Sequence, residues 1–185
     1  MTRRRSLVAR AGRVMATVLV TALLAAPTAA AQISADEPES TPRPTHCTDT
    51  GREAGTPLPT QLPESECIAL LVLHHDTGGS DWVTAEGWAT DTDPCTWYGV
   101  LCSNGHVLAL YLPSNGLTGA LPAELAALQD ARVFVFVRNE ISSIPDSLSD
   151  LDELRALILD SNLLTRIPTS IGGLAGLQTL SLIHI

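Results

Sequence analysis

From Gly105 onward the apolar residues follow neither the 3.6-residue period of a helix nor the plain alternation of a long strand. Val107, Leu110, Leu112, Asn115, Leu117, Leu121, Pro122, Leu125 and Leu128 return as Ala131, Phe134, Phe136, Asn139, Ile141, Ile144, Pro145, Leu148 and Leu151. They return again as Leu154, Leu157, Leu159, Asn162, Leu164, Ile167, Pro168, Ile171 and Leu174, with the asparagines 24 and 23 residues apart. The pair two apart in each unit, such as Leu110 and Leu112, predicts a short strand with both side chains inward. Stacked units then form a parallel sheet on one face. Asparagine stands where the chain turns out of the strand, because its amide can satisfy backbone groups that would otherwise be buried unpaired. Proline opens the return, where a fixed φ and a missing N–H cost little.

This is the L-x-x-L-x-L-x-x-N-x-L pattern of a leucine-rich repeat, and repeats of this kind need a cap at each end of the stack. Ahead of the repeats, Ser65 reads as a helix N-cap, with Glu66 in the first turn and Ile68, Leu70, Leu71 and Leu73 as the apolar content. Thr77-Gly78-Gly79 closes that helix, with His75 and Asp76 at its end. The segment containing Cys67-Ile68-Ala69-Leu70, Thr77-Gly78-Gly79, Trp82, Gly87-Trp88 and Cys95-Thr96-Trp97-Tyr98-Gly99-Val100-Leu101-Cys102 resembles the plant-type N-terminal cap of leucine-rich repeat proteins. Leu117-Thr118-Gly119-Ala120-Leu121-Pro122 resembles a plant-type repeat, whereas Ser142-Ser143 and Thr165-Arg166 in the next two units look like a more general bacterial form. The resemblance as a whole is to a secreted bacterial leucine-rich repeat protein carrying a plant-type cap, and it spans roughly Cys67 to Leu182. It implies an α/β solenoid, a right-handed superhelix with a parallel concave sheet. It also implies a cap core that includes Trp88 and Trp97, and a disulfide between Cys95 and Cys102.

The four cysteines, Cys47, Cys67, Cys95 and Cys102, are even in number and allow three pairings. Six residues separate Cys95 from Cys102, which permits one local clip and leaves Cys47 for Cys67. Neither spacing matches the close pairs of a four-thiolate zinc site. An oxidising compartment fits the front of the chain. Arg3, Arg4, Arg5, Arg10 and Arg13 precede an uncharged run from Val14 to Pro27, and Ala29-Ala30-Ala31 offers small residues for cleavage. This is the three-part pattern of a signal peptide over residues 1–31, and its apolar run is too short to span a bilayer. Residues 32–63 follow as a lead rich in Pro, Thr, Ser and Glu that cannot bury a core of its own. The cap is expected over 64–105 and the repeats over 106–179. Residues 180–185 are expected to be either a truncated fourth repeat or read-through of a sequencing adaptor, so the C-terminus is incomplete.

Eleven basic residues, all arginine, face twenty acidic ones. Beyond the first thirteen positions the balance is six against twenty, which disfavours nucleic acid and anionic membranes as partners. The absence of lysine and the wealth of alanine suggest a GC-rich bacterial source. His74-His75-Asp76 attracts a metal reading, but adjacent helical residues point about 100° apart and no third ligand sits at a matching offset. Asp91-Thr92-Asp93-Pro94 lacks the glycine and closing glutamate of a calcium loop. Asp150, Asp152 and Glu153 read as a solvated convex surface. No nucleophile elbow, metal-binding helix motif or phosphate loop is present, so neither catalysis nor a cofactor is expected.

What remains is the outward side of the strands: Ala109, Tyr111 and Pro113, then Val133, Val135 and Val137, then Ala156, Ile158 and Asp160. Tyr111, Val135 and Ile158 are expected in one column, with Arg132 and Arg155 beside it. The predicted function is a non-catalytic extracellular module that recognises a protein, peptide or glycan through this face. The alternative is the sensor or targeting part of a longer secreted enzyme or receptor.

Overall fold

The computed structural model describes residue 43, residues 62–90 and residues 92–183. The expected signal peptide, most of the Pro-rich lead, Cys47, Asp91, His184 and Ile185 lie outside the described residues.

The cap opens with helix α1 (Glu64–Asp76). Pro63 holds the N-cap position and no side chain caps it, so Ser65, expected there, sits inside the first turn. Proline serves because the first helical N–H groups lack intrahelical partners in any case. At the other end the helix is closed by Thr77, whose N–H and Oγ1 both donate to the Leu73 carbonyl. His75 and Asp76, in the last turn, bond to each other, with Nδ1 2.8 Å from Oδ1. Buried Cys67, Ala69, Leu70, Leu71 and Leu73 join Trp82, Trp88 and Trp97 in the same core that runs through the repeats. The indoles pack edge to face and tilted, with centroids 4.9 Å apart for Trp82 and Trp88 and 5.1 Å for Trp88 and Trp97, geometries that suit the ring quadrupoles.

The chain then enters strand β1 (Val100–Ser103), turns at Asn104-Gly105 with φ of 54° and 80°, and returns antiparallel as β2 (His106–Tyr111). Asn-Gly is the dipeptide that tolerates two positive φ angles in a tight hairpin. Cys95 and Cys102 are disulfide-bonded with Cα atoms 5.6 Å apart, tying the approach to β1 to the strand itself. Cys67 is buried and no described cysteine is free. Gly99 is sterically fixed: its φ is 76°, and a Cβ there would lie 2.2 Å from the Tyr111 carbonyl oxygen.

Each repeat contributes one strand to a sheet ordered β1-β2-β4-β6-β7, where β4 is Val133–Val135, β6 is Ala156–Ile158 and β7 is Thr179–Ser181. From β2 onward the pairing is parallel and in register, with Leu110 opposite Phe134, Leu157 and Leu180. The returns begin at Pro122, Pro145 and Pro168, each followed by a 3₁₀ turn. A second, two-stranded parallel sheet was not anticipated from the periodicity: β3 (Thr118–Ala120) pairs with β5 (Glu140–Ser143) as the chain leaves each asparagine turn. Most repeat positions are inward as expected. At the last described units the positions open out: Ile167 is 38% exposed where Leu121 and Ile144 are 3% and 7%, and Leu180 is 41% exposed, because no described residue stacks on their far side.

The asparagines form a ladder. Asn139 Oδ1 accepts from the N–H groups of Asn115 and Leu117 in the preceding unit, while its Nδ2 donates to the carbonyls of Leu112 and Phe136. Asn162 repeats this with Ile141 N–H, Phe136 and Leu159. Asn115 has no earlier repeat to serve, and the cap substitutes: Oδ1 accepts from Thr84 N–H and Nδ2 donates to the Thr84 carbonyl.

Candidate functional site

Strand register decides which side chains share the concave face. Tyr111 pairs with Val135, Val135 with Ile158 and Ile158 with Ser181, so the expected column stands on four successive strands and ends in a hydroxyl. A second column runs Leu101, Ala109, Val133, Ala156 and Thr179. Exposure is uneven along them. Tyr111 is 43% and Leu101 49% exposed, Val133, Val135, Val137, Ala156 and Ile158 are half-buried, and Ala109 is buried. The expectation that Ala109 forms part of the outward surface is therefore corrected: a single methyl between larger neighbours on both adjacent strands is shaded by them. Leu101 was not anticipated as a surface member. The signal was its place in the alternation of β1, where Val100 turns inward.

Main-chain bonds set the basic margin. Arg132 N–H donates to the Leu108 carbonyl and Arg155 N–H to the Arg132 carbonyl, which places the two arginines immediately before successive strands, at the edge of the apolar columns. Both are exposed. The sole ion-pairing contact of Arg155 among the described residues is a long one, 3.8 Å to Glu153, a distance at which an exposed pair contributes little. On the opposite margin Asp160 accepts from Ser181 Oγ and from Ile183 N–H, so its carboxylate is engaged within the fold. The face thus presents an apolar field with exposed positive charge on one side.

The other candidates for chemistry resolve as structure. His74 stacks on Trp88 at 6.0 Å and meets the edge of Trp82 at 5.1 Å. Burial pushes its pKa below the ordinary imidazole value, a bond with the Gly79 backbone opposes this, and neighbouring His75 adds to the lowering. Asp76 takes an ion pair from Arg43, the one described residue of the middle lead, which also reaches Glu124 at 2.8 Å. Burial raises the Asp76 pKa, but the bonds and charges of Arg43 and His75 outweigh it and hold the carboxyl below its ordinary range. Asp93 Oδ1 accepts from Cys95 N–H at 2.7 Å and so caps a short turn. Among the described residues no group of three or more His, Cys, Asp or Glu side chains is placed to hold a metal ion.

A further pair escaped the sequence reading. Glu66 is buried in the first turn of α1, its Oε2 accepting from Val107 N–H at 2.8 Å and its Oε1 lying 2.6 Å from His106 Nδ1. The signal was present: Glu66 stands four and seven residues before Leu70 and Leu73, on one side of a helix whose apolar run is buried, where a carboxylate requires a partner. Away from these sites, a groove of about 360 Å³ lies between the second and third returns, lined by Ser143, Ile144, Asp146, Arg166, Ile167, Pro168 and Thr169.

Residues 69–103 match the leucine rich repeat N-terminal domain family. The chain is 33% identical over 87 residues to pollen receptor-like kinase 4 of Arabidopsis thaliana, a match that covers 44% of this chain and 12% of the kinase. Among solved structures it resembles a plant ice-binding protein, with TM-score 0.58 and 24% identity over 65% of this chain and 40% of that one. It also resembles PEPR1–AtPEP1, with TM-score 0.53 and 25% identity over 65% of this chain and 18% of the other. The first of these structural likenesses speaks to fold alone. The expected bacterial source gains no support, since the named relative is a plant protein. No helix among the described residues is long and apolar enough to cross a membrane. The in-phase repeats, the disulfide-tied cap and these likenesses together establish a leucine-rich repeat solenoid closed at its front by a plant-type N-terminal cap domain.

Proposed function

We propose that this protein is a non-catalytic extracellular binding module whose concave sheet recognises a protein or peptide. The observation that carries the reading is the register of Tyr111, Val135 and Ile158 in one column beside the exposed guanidinium groups of Arg132 and Arg155. Apolar side chains on a rigid sheet supply desolvation energy at low entropic cost, and the arginines select for acidic groups at the edge. The preferred ligand is a segment with several apolar side chains flanked by Asp or Glu. A glycan is less well matched, because Tyr111 is the lone aromatic ring of the two columns. Similarity to a receptor-like kinase and a disulfide in the cap both favour an exported location.

The test is selection from a displayed random-peptide library against the wild type and a variant carrying Tyr111→Ser, Val135→Ser and Ile158→Ser. The wild type should enrich apolar, acid-flanked peptides whose affinity falls by about tenfold or more in the variant, with circular dichroism unchanged. Equal capture by both would end the proposal. A second reading, that the chain is the sensor part of a longer receptor or enzyme, is favoured by the match to just 12% of a receptor-like kinase. Resequencing the locus past the Thr179 codon tests it: a downstream kinase or hydrolase domain supports the reading, and a natural stop after the repeats removes it.

A further inference from the structure

We infer that Glu66, His106 and Asp130 form a proton-operated latch that fastens the cap helix to the first strand of the repeat stack, tightest when His106 is cationic. The geometry is specific. Glu66 projects from α1 and is buried, while His106 and Val107 are the first two residues of β2. One carboxylate oxygen holds the Val107 N–H and the other holds His106 Nδ1, so a single side chain bridges helix and strand at two points. Asp130, on the turn that leads into β4, approaches the same ring nitrogen at 3.5 Å. The charged groups that face His106 are thus Glu66 from the helix and Asp130 from the neighbouring repeat, both acidic.

A buried carboxylate is costly unless it is paired and hydrogen-bonded. Cationic His106 supplies the charge; Val107 supplies a donor that persists at every pH. On deprotonation a neutral imidazole tautomer can still donate to Glu66, but the compensating charge is gone, so the latch loosens rather than releases. Consistent with this arrangement, the bond and charge of Glu66, joined by the charge of Asp130, outweigh desolvation and raise the His106 pKa above 6.5. The sign follows from linkage. When α1 lifts from β2 the imidazole returns to its ordinary value, so closure is favoured below pH 6.5 and that preference fades as pH rises through the raised midpoint. The hairpin fastened in this way carries Leu101 and Tyr111, two exposed apolar members of the concave columns.

Nuclear magnetic resonance of the folded protein tests the latch with two local readouts, the titration midpoint of the His106 ring and the exchange protection of the Val107 amide. The midpoint should lie above 6.5. Protection of Val107 should fall across it by about tenfold for each unit of that displacement. Asp130→Asn should lower the midpoint while leaving Val107 protected at acidic pH. Glu66→Gln should lower the midpoint further than Asp130→Asn does, leaving the contribution of Asp130 alone, and should flatten the pH dependence of Val107 protection. Should that variant fail to fold, His106→Gln decides, because it keeps Glu66 and should make Val107 protection flat across the same window. A His106 midpoint at or below 6.5, or an unchanged step in His106→Gln, would overturn the inference.

Discussion

The cap and the repeats meet the same requirement, a closed apolar interior beneath a row of turns, with different chemistry. A repeat buries leucine, isoleucine or phenylalanine at fixed positions and hands its turn amides to the asparagine of the next unit, as Asn115 and Leu117 do to Asn139. Among the described residues no repeat precedes the cap. It fills the open end with α1 and three indoles, ties its approach strand with Cys95–Cys102, and lets the Thr84 backbone play the part of a missing repeat for Asn115. A solenoid built from identical bonds can therefore be ended by bulk, a covalent tie and borrowed main chain.

The comparison can be broken first by removing bulk. Trp97→Ala in the cap and Phe136→Ala in the repeats should each cost about 3–5 kcal/mol in denaturant unfolding. The cap variant should lose protection in β1 and β2 ahead of β6, and uniform loss would mean that the cap has no separate identity. Next comes the ladder. Asn139→Ala takes the side-chain partner from the Asn115 and Leu117 N–H groups and the Leu112 carbonyl, leaves the Phe136 carbonyl with Asn162 alone, and should cost about 3 kcal/mol. Asn115→Ala takes the partner from two groups, both on Thr84, and should cost about half as much. Equal losses would show that the cap copies the repeat bond for bond. Replacing Cys95 and Cys102 with Ser should lower stability by about 2.5 kcal/mol, as expected for a short closed loop, measured as the shift in urea midpoint.

Smaller effects sharpen the picture. Ser114, Arg138 and Ser161, each just before a ladder asparagine, hold φ of 51°, 57° and 57°. Arg138→Gly should relieve that strain and raise stability by about 0.5 kcal/mol after the extra chain entropy of glycine. The net pH effect should be smallest, because two histidines oppose each other. His74, with its pKa depressed by burial among indoles, contributes stability that is full above pH 6.5 and is lost as pH falls through its lowered midpoint. His106 contributes stability that is full below pH 6.5 and is lost on the alkaline side. In His106→Gln, the gain in thermal stability on acidification towards pH 6.5 should therefore be lost, while the decline below pH 6.5 that His74 causes should remain.

The repeats were legible because seven apolar positions, a proline and an asparagine recur in phase three times, and periodicity alone places Leu110 opposite Phe134 and Leu157. The cap was legible mainly through Trp88, Trp97 and the two cysteines around the Trp-Tyr-Gly-Val strand. Features that depend on contact between cap and repeat were harder to see. Glu66 and His106 stand 40 residues apart, and no local pattern joins them. Exposure on the concave face was read one strand at a time, so Ala109 seemed outward until its neighbours on both sides were in place.

The central claim is that recognition resides on the concave sheet rather than on the second sheet of Thr118–Ala120 and Glu140–Ser143. The most direct measurement is backbone amide chemical-shift mapping while an enriched apolar, acid-flanked peptide is titrated in. Saturable shifts centred on Val133–Val135 and Ala156–Ile158, extending to Arg132 and Arg155, are expected, with β3 and β5 unmoved. Shifts confined to β3 and β5, or to the groove around Ile144 and Ile167, would contradict it.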